Sequence, residues 1–319
     1  MTSAVAIFPT PVAGWSRRLA MFSLQLLIAG LVLHRFFSLS TPVTLHIFAT
    51  SMLGAAVAVL LAFVAFAIIW RLGRSGAWSA AAGLVVGLLL LVWPLAYLPQ
   101  YTSLPPLADV TTDTAAPPRF LALASQRPRD GNPVEYAGAA LARLQAEAYP
   151  DLRPIVIPRP ANQTFDLLGD IVRRFRWQIA AEQPPRGRGN PGYIEATERT
   201  MVMGFLDDIV IRIDGDARET RIDVRSASRY GRHDLGRNAA RVRKLYAEIR
   251  AQLESGAAST AKRRRARPGA IVAKRGKGGP GAAALHSKRP GAAPSGAQRA
   301  PQPRATPPAR GEGQARDRR

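Results

Sequence analysis

The chain of 319 residues contains no cysteine, which excludes a disulfide framework, a thiolate metal site and catalysis by a cysteine nucleophile. Its length allows one or two domains. Acidic residues are scarce, 22 against 44 Lys and Arg, yet the net charge of +22 is unevenly spread. Residues 1–118 hold five basic residues, Arg17, Arg18, Arg35, Arg71 and Arg74, against Asp109 and Asp113. Residues 256–319 hold sixteen Lys and Arg against Glu312 and Asp317, so most of the excess belongs to the tail. That tail also lacks apolar bulk. A run of Ala, Pro, Gly, Lys and Arg cannot bury enough surface to fold, and disorder is expected over 256–319.

Charge is missing from two long apolar runs, 47–70 and 77–98, and a third, 19–37, is interrupted only by His34 and Arg35 near its end. Each has about the 20 residues that a helix needs to cross the hydrocarbon core. Three such runs joined by short loops predict a transmembrane domain over 1–98. A cleaved signal peptide fits the first run poorly, because no small-x-small site follows and the next run begins almost at once. Retained positive charge marks the cytoplasmic side. Arg17 and Arg18 precede the first helix, Arg71 and Arg74 separate the second from the third, and 99–118 has no Lys or Arg. The expected product is a multi-pass protein of the bacterial cytoplasmic (inner) membrane, N-terminus inside, with everything beyond Leu98 outside. Trp70, Trp93 and Tyr97 would be its interfacial anchors.

Past the runs the composition changes. Residues 99–108 read as a linker, extended from Tyr101 onward because of its prolines. Over 109–255 the patterns predict a helix at 135–148, a strand at 154–158, and a helix capped by Asn162 that buries Phe165, Leu168, Ile171, Val172 and Phe175. Strands follow at 177–182 and 193–201, then a hairpin of 208–213 and 219–227 around Asp214, Gly215 and Asp216. A last helix, capped by Asp234 or Asn238, repeats Leu235, Val242, Leu245, Tyr246, Ile249 and Leu253 at helical spacing. The expected fold class is α+β, an antiparallel sheet with helices on one face.

Most chemical motifs here have plainer readings. Gly187, Gly189 and Gly192 fit G-x-G-x-x-G, but Pro184, Pro185 and Pro191 surround them and a strand follows, so they make a hairpin loop and not a dinucleotide fingerprint. Asp214, Gly215, Asp216 and Glu219 lack the spacing of a calcium loop. His233 beside Asp234, with Ser226 and Ser228 nearby, suggests a triad; adjacent residues are poorly placed as base and orienter, and no G-x-S-x-G is present. Carboxylate pairs, Asp207 with Asp208 or Glu195 with Glu198, or the Ser/His set would serve a hydrolase of envelope substrates, which is the alternative function. No catalytic residue, metal or cofactor is assigned.

The better candidates are donors concentrated between strand and helix: Arg225, Ser226, Ser228, Arg229, Arg232, Asp234, Arg237 and Asn238. Arginines, hydroxyls and a helix N-terminus are the parts from which anion sites are built. The structural alternative has Arg225 bridging to Glu195 or Asp208 and the serines bonding backbone. Partners expected besides the membrane itself are an anionic lipid, lipopolysaccharide or an envelope protein. Nucleic acid would be a partner only if the tail were cytoplasmic.

The strings GFLDDIVIRI and RIDVRSASRYGRHDLGRNAARV, with ADVTTDTAAPPRF upstream and YIEATERT between, carry a resemblance. They are similar to the bacterial domain-of-unknown-function family numbered fourteen ninety-nine, over about 109–253. Its most specific part is RSxSRxGxxDLGxN, here Arg225, Ser226, Ser228, Arg229, Gly231, Asp234, Leu235, Gly236 and Asn238. The resemblance implies a domain that begins near Asp109 and occurs alone or behind membrane helices, with no activity or catalytic residue assigned. At the position of His233 the family more often has a small polar residue.

Overall fold

The structure, a computed structural model, describes residues 9–266. The disorder expected of the tail falls outside the described residues beyond Ala266. Three helices are long and apolar enough to cross a membrane: α1 (Pro11–Phe36), α2 (Thr41–Leu72) and α3 (Ala77–Leu95), the last followed by a short α4 (Leu98–Ser103). Proline in the first turn starts α1 and α2, where its missing N–H costs nothing. Gly73, left-handed at φ 61°, ends α2. Pro94 near its end breaks the third apolar run at Leu95, before the expected Leu98. The expected extended linker is helical through Ser103, and it is tied down as well, since Leu107 is fully buried in the core of the following domain.

What these helices bury is small. Ala13, Ser16, Ala20 and Ser23 of α1 meet Ser51, Ala55, Ala58, Ala62 and Ala65 of α2 and Ala80, Gly83 and Gly87 of α3. Lipid gives no hydrophobic drive to helix pairing, so close backbone approach between small residues and short polar contacts must supply the attraction. Ser16 Oγ donates to the Ala58 carbonyl at 2.8 Å, and a Cβ on Gly83 would strike the Ser16 side chain and the Arg17 backbone. Bulky Phe22, Leu53, Leu60, Phe63 and Leu89 point outward. At one end of the bundle the Thr10 N–H donates to Ser75 O at 3.0 Å, so Arg17 and Arg18 share an end with Arg71 and Arg74.

The α+β domain follows at the other end. Six antiparallel strands, β1 (Asp109–Thr111), β2 (Ile155–Ile157), β3 (Gln178–Gln183), β4 (Gly192–Arg199), β5 (Leu206–Gly215) and β6 (Thr220–Ser228), run in the order β1-β6-β5-β4-β3, with β2 also on β6. α6 (Ala161–Arg174) and α7 (Arg237–Ala266) pack on one face against Ile194, Ala196, Ile209, Ile211, Ile213, Ile222 and Val224. Strand alternation sends Glu195, Thr197, Asp208, Val210, Arg212, Asp223, Arg225 and Ala227 to the opposite face. That face is covered by the irregular segment 112–136, which includes the 3-10 turn Leu123–Gln126, and by its neighbour α5 (Ala139–Ala148).

Local expectations shifted by a few residues. The helix expected from 135 starts at Ala139, after Gly138 at φ 79°. Pro160 stands at the N-cap of α6 and Asn162 lies exposed in its first turn, because the proline already sets the entry angle. Asp214 and Gly215 belong to β5, and the turn is one step later, with Asp216 N donating to Glu219 O and the Asp216 carboxylate accepting from the Arg218 and Glu219 N–H groups. Leu235 precedes α7 at φ 58°. α7 itself continues past Ser255 to Ala266.

Gly83→Leu should lower the stability of the bundle by about 1–3 kcal/mol, as overpacking does. Leu89→Ala, on the outward side, should change it little. Thermal unfolding of the full chain in detergent micelles checks both.

Candidate functional site

The string Arg225–Asn238 begins on a strand, and alternation divides it at once. Arg225 faces the irregular segment while Ser226 and Ser228 face α7. Arg225 is 2 % exposed; its guanidinium donates to the Asp109 carboxylate at 2.7 Å and 3.0 Å and to the carbonyls of Pro118 and Val134. It also lies over the rings of Phe120 and Tyr136, at 4.8 Å and 5.7 Å. The partner is therefore Asp109, on the neighbouring β1, and not Glu195 or Asp208. Glu195 instead accepts three backbone N–H groups, from Leu121, Ala122 and Leu123, and holds the entry to the 3-10 turn.

Arg229 is buried and grips Asp208, Nε at 3.0 Å and Nη2 at 2.9 Å from Oδ1. Arg127 approaches the other oxygen at 2.8 Å and donates onward to the Pro133 and Ala227 carbonyls. One carboxylate thus sits between two guanidiniums, and the Thr197 hydroxyl donates to it as well. On the α7 side, Arg241 binds Asp207, Glu198 at 2.6 Å and the Ser226 hydroxyl at 2.8 Å. Asn238 accepts from Ser226 and Arg241 and donates to Ser228 Oγ and Ala108 O, which uses all of its hydrogen-bonding capacity. Sequence reasoning missed Arg127, which lies in no strand-to-helix connection and meets Asp208 only because the irregular segment is laid over β5.

The free N–H groups at the start of α7 are taken internally. The Asp234 carboxylate accepts from Gly236 N at 2.8 Å and Asn238 N at 2.7 Å. Burial pushes its carboxyl above the usual range, with those two bonds opposing and Asp207 adding to the rise. His233 uses both ring nitrogens: Nε2–H faces the Leu104 carbonyl at 3.0 Å, Nδ1 accepts from Leu235 N at 2.9 Å, and the ring stacks on Tyr101. It has no nitrogen left to activate Ser226 or Ser228, whose hydroxyls are engaged by Asn238. The adjacent pair Asp207 and Asp208 is split between the two faces, as are Glu195 and Glu198. Arg232 and Arg237 are exposed. Among the described residues no cluster of His, Asp and Glu is arranged to hold a metal.

An open space touches the string. A groove of about 970 Å³ lies along the irregular segment and α5, with Arg225 in its wall. Exposed Arg119 and Arg143 line it, Glu135 is the acid among its lining residues, and Phe120, Val134, Ala139, Ala142 and Ala146 make its apolar part. The Tyr136 hydroxyl is buried there without a hydrogen-bond partner. Burial, with Asp109 adding and Arg225 opposing, pushes this phenol up to about 12, so it remains a donor at neutral pH. The α5 N-terminus beside it has no side-chain cap.

Fold and site together define a small α+β domain behind three apolar helices, with a charge-laced sheet face. Residues 109–249 match the family model described as "Protein of unknown function (DUF1499)", so this stretch is a domain of that family, set after the N-terminal helices. No curated protein and no solved structure matches the chain.

Asp113 holds one wall of the groove to the sheet. Burial pushes its carboxyl up, but the Ala116 N–H, Arg212 at 2.8 Å and Arg221 at 2.9 Å outweigh it and hold the group below its ordinary value of 3.8. A lowered carboxyl contributes stability that is present above about 3.8 and is lost as pH falls through the lowered value. Asp113→Asn should therefore cost about 2 kcal/mol at pH 7. The difference from the parent should close as the pH is taken below 4, measured by denaturant unfolding of the full chain in micelles.

Proposed function

We propose that this is a membrane-anchored binding protein of the bacterial inner membrane whose extracytoplasmic domain takes an anionic ligand, lipid or envelope partner along the groove beside Arg225. One observation carries the reading: an unpartnered Tyr136 hydroxyl shares a groove with two exposed guanidiniums, Arg119 and Arg143. An anion there would meet three donors, and the uncapped first turn of α5 adds its N–H groups and dipole. The apolar part of a ligand would meet Phe120, Val134 and the alanine face of α5. A volume of about 970 Å³ exceeds the need of inorganic phosphate and suits an amphiphilic anion, such as a lipid or a piece of lipopolysaccharide.

In this reading Arg225 forms the wall, and Ser226, Ser228, Arg229, Asp234 and Asn238 brace the strand-to-helix junction behind it. Arg232 and Arg237 remain available to a partner. The orientation is supported by Arg17, Arg18, Arg71 and Arg74 lying at the end of the bundle away from the domain, as positive charge retained inside requires.

Two experiments test the reading separately. A reporter active only outside the cytoplasm should give signal when fused after Asp113 and none after Arg74; the reverse pattern would overturn the orientation. Lipids co-purifying with the full chain, measured by mass spectrometry, should be lost roughly tenfold or more on joint Arg119→Glu and Arg143→Glu substitution, since charged hydrogen bonds contribute about 1.5 kcal/mol or more each. Thermal unfolding should hardly change, both residues being exposed. Equal lipid content in parent and variant would remove the groove as the site.

A further inference from the structure

The sheet has two chemically unlike ends. The β3–β4 loop and the β5–β6 turn meet at one end and are polar: Arg188 pairs there with Asp216 and Glu219. At the other end the β4–β5 turn reads Met201, Val202, Met203 and Gly204, with Met201 88 % and Val202 57 % exposed. A turn in water gains nothing from bare Met and Val side chains, whereas one touching lipid does.

That apolar turn rests on the end of the first membrane helix. Arg35 Nη1 donates to Thr200 O at 3.3 Å, Arg199 Nη1 donates to Arg35 O at 3.4 Å, and the Phe205 ring meets His34 edge-on at 5.7 Å. Helical rise separates Arg18 from Arg35 by about 26 Å, close to the hydrocarbon thickness of roughly 30 Å. With Arg18 at one boundary, Arg35 stands at the other, and the turn in contact with it stands at the same level. Exposed Phe36 and Phe37 lie beside it on the chain. Arg35 and Arg199 are both exposed, and neither has a carboxylate within ion-pair distance among the described residues.

We propose that the β4–β5 turn is inserted into the interfacial layer of the bilayer, Met201 and Val202 among the upper acyl segments and Arg35 and Arg199 against lipid phosphates. The occupant of this surface is the bilayer around the chain's own helices, continuous with the lipid that those helices face. The domain is then docked on the membrane at a fixed height, with the polar end of its sheet turned away. Long basic side chains at such a boundary reach phosphates readily, and apolar side chains beside them anchor the depth.

The absence of cysteine makes the test direct. Met201→Cys and Val202→Cys, each carrying one nitroxide, would be compared with Arg218→Cys at the polar end of the sheet. The full chain would be reconstituted in vesicles of phosphatidylcholine and phosphatidylglycerol in equal parts. The labels at 201 and 202 should lose most of their collisions with a water-soluble nickel chelate while keeping those with oxygen, and the label at 218 should keep its nickel collisions. All three positions are exposed, so labelling disturbs no core packing. Labels at 201 and 202 as open to the nickel chelate as the one at 218 would overturn the insertion, whatever the groove binds.

Discussion

Two adjacent carboxylates, Asp207 and Asp208, impose the constraint on which the domain depends. Both lie on the central strand β5, both are buried, and strand alternation points them to opposite faces of the sheet. A buried carboxylate that loses its partner is costly, so each face must bring a cation to meet it. Asp207 requires Arg241, which fixes where α7 lies along the sheet. Asp208 requires Arg127 and Arg229, which brings the irregular segment down onto the other face. The aliphatic core formed with α6 and α7 supplies the bulk of the burial; the charges determine which segments may cover it and in what register.

The same constraint limits what the arginines of the string can do. A guanidinium already held by a buried carboxylate contributes little free field to a ligand, and Arg229 and Arg241 are so held. Arg225 is intermediate. Asp109 neutralises it, yet its side chain still forms part of an open wall, with an aromatic ring on either side. The side chains left outside the network include those at the groove and at the β4–β5 end of the sheet.

Much of this was legible in the sequence, for a physical reason that differs from part to part. Apolar runs of membrane length leave little choice of conformation, and the stripe of α6, from Leu168 to Val172, is buried as its spacing requires. Alternation in β5 and β6 was equally clear. What periodicity cannot convey is pairing between distant segments: Asp109 with Arg225 is separated by 116 residues, and Arg127 with Asp208 by 81. Grouping Arg225 with Ser226 by proximity along the chain joined residues that the pleat separates. The groove was hidden for the same reason, since its wall combines a strand, an irregular segment and a helix, none of which carries a motif.

His233 shows how the two halves of the chain are joined. A histidine next to an aspartate suggests a base, but here its ring stacks on Tyr101, 4.9 Å away, and its Nε2 meets the Leu104 carbonyl. Both partners belong to the stretch leaving the last membrane helix, and Leu104 also packs against the domain core. A domain standing alone would have no Tyr101 to receive the ring. A second attachment, from the end of α1 to Thr200 and Phe205, fixes the domain at another point of its base. Two separate contacts with the helical bundle restrict rotation as well as distance. The domain is thereby held in one attitude above the helices, and the end of its sheet that meets α1 differs in kind from the opposite, polar end.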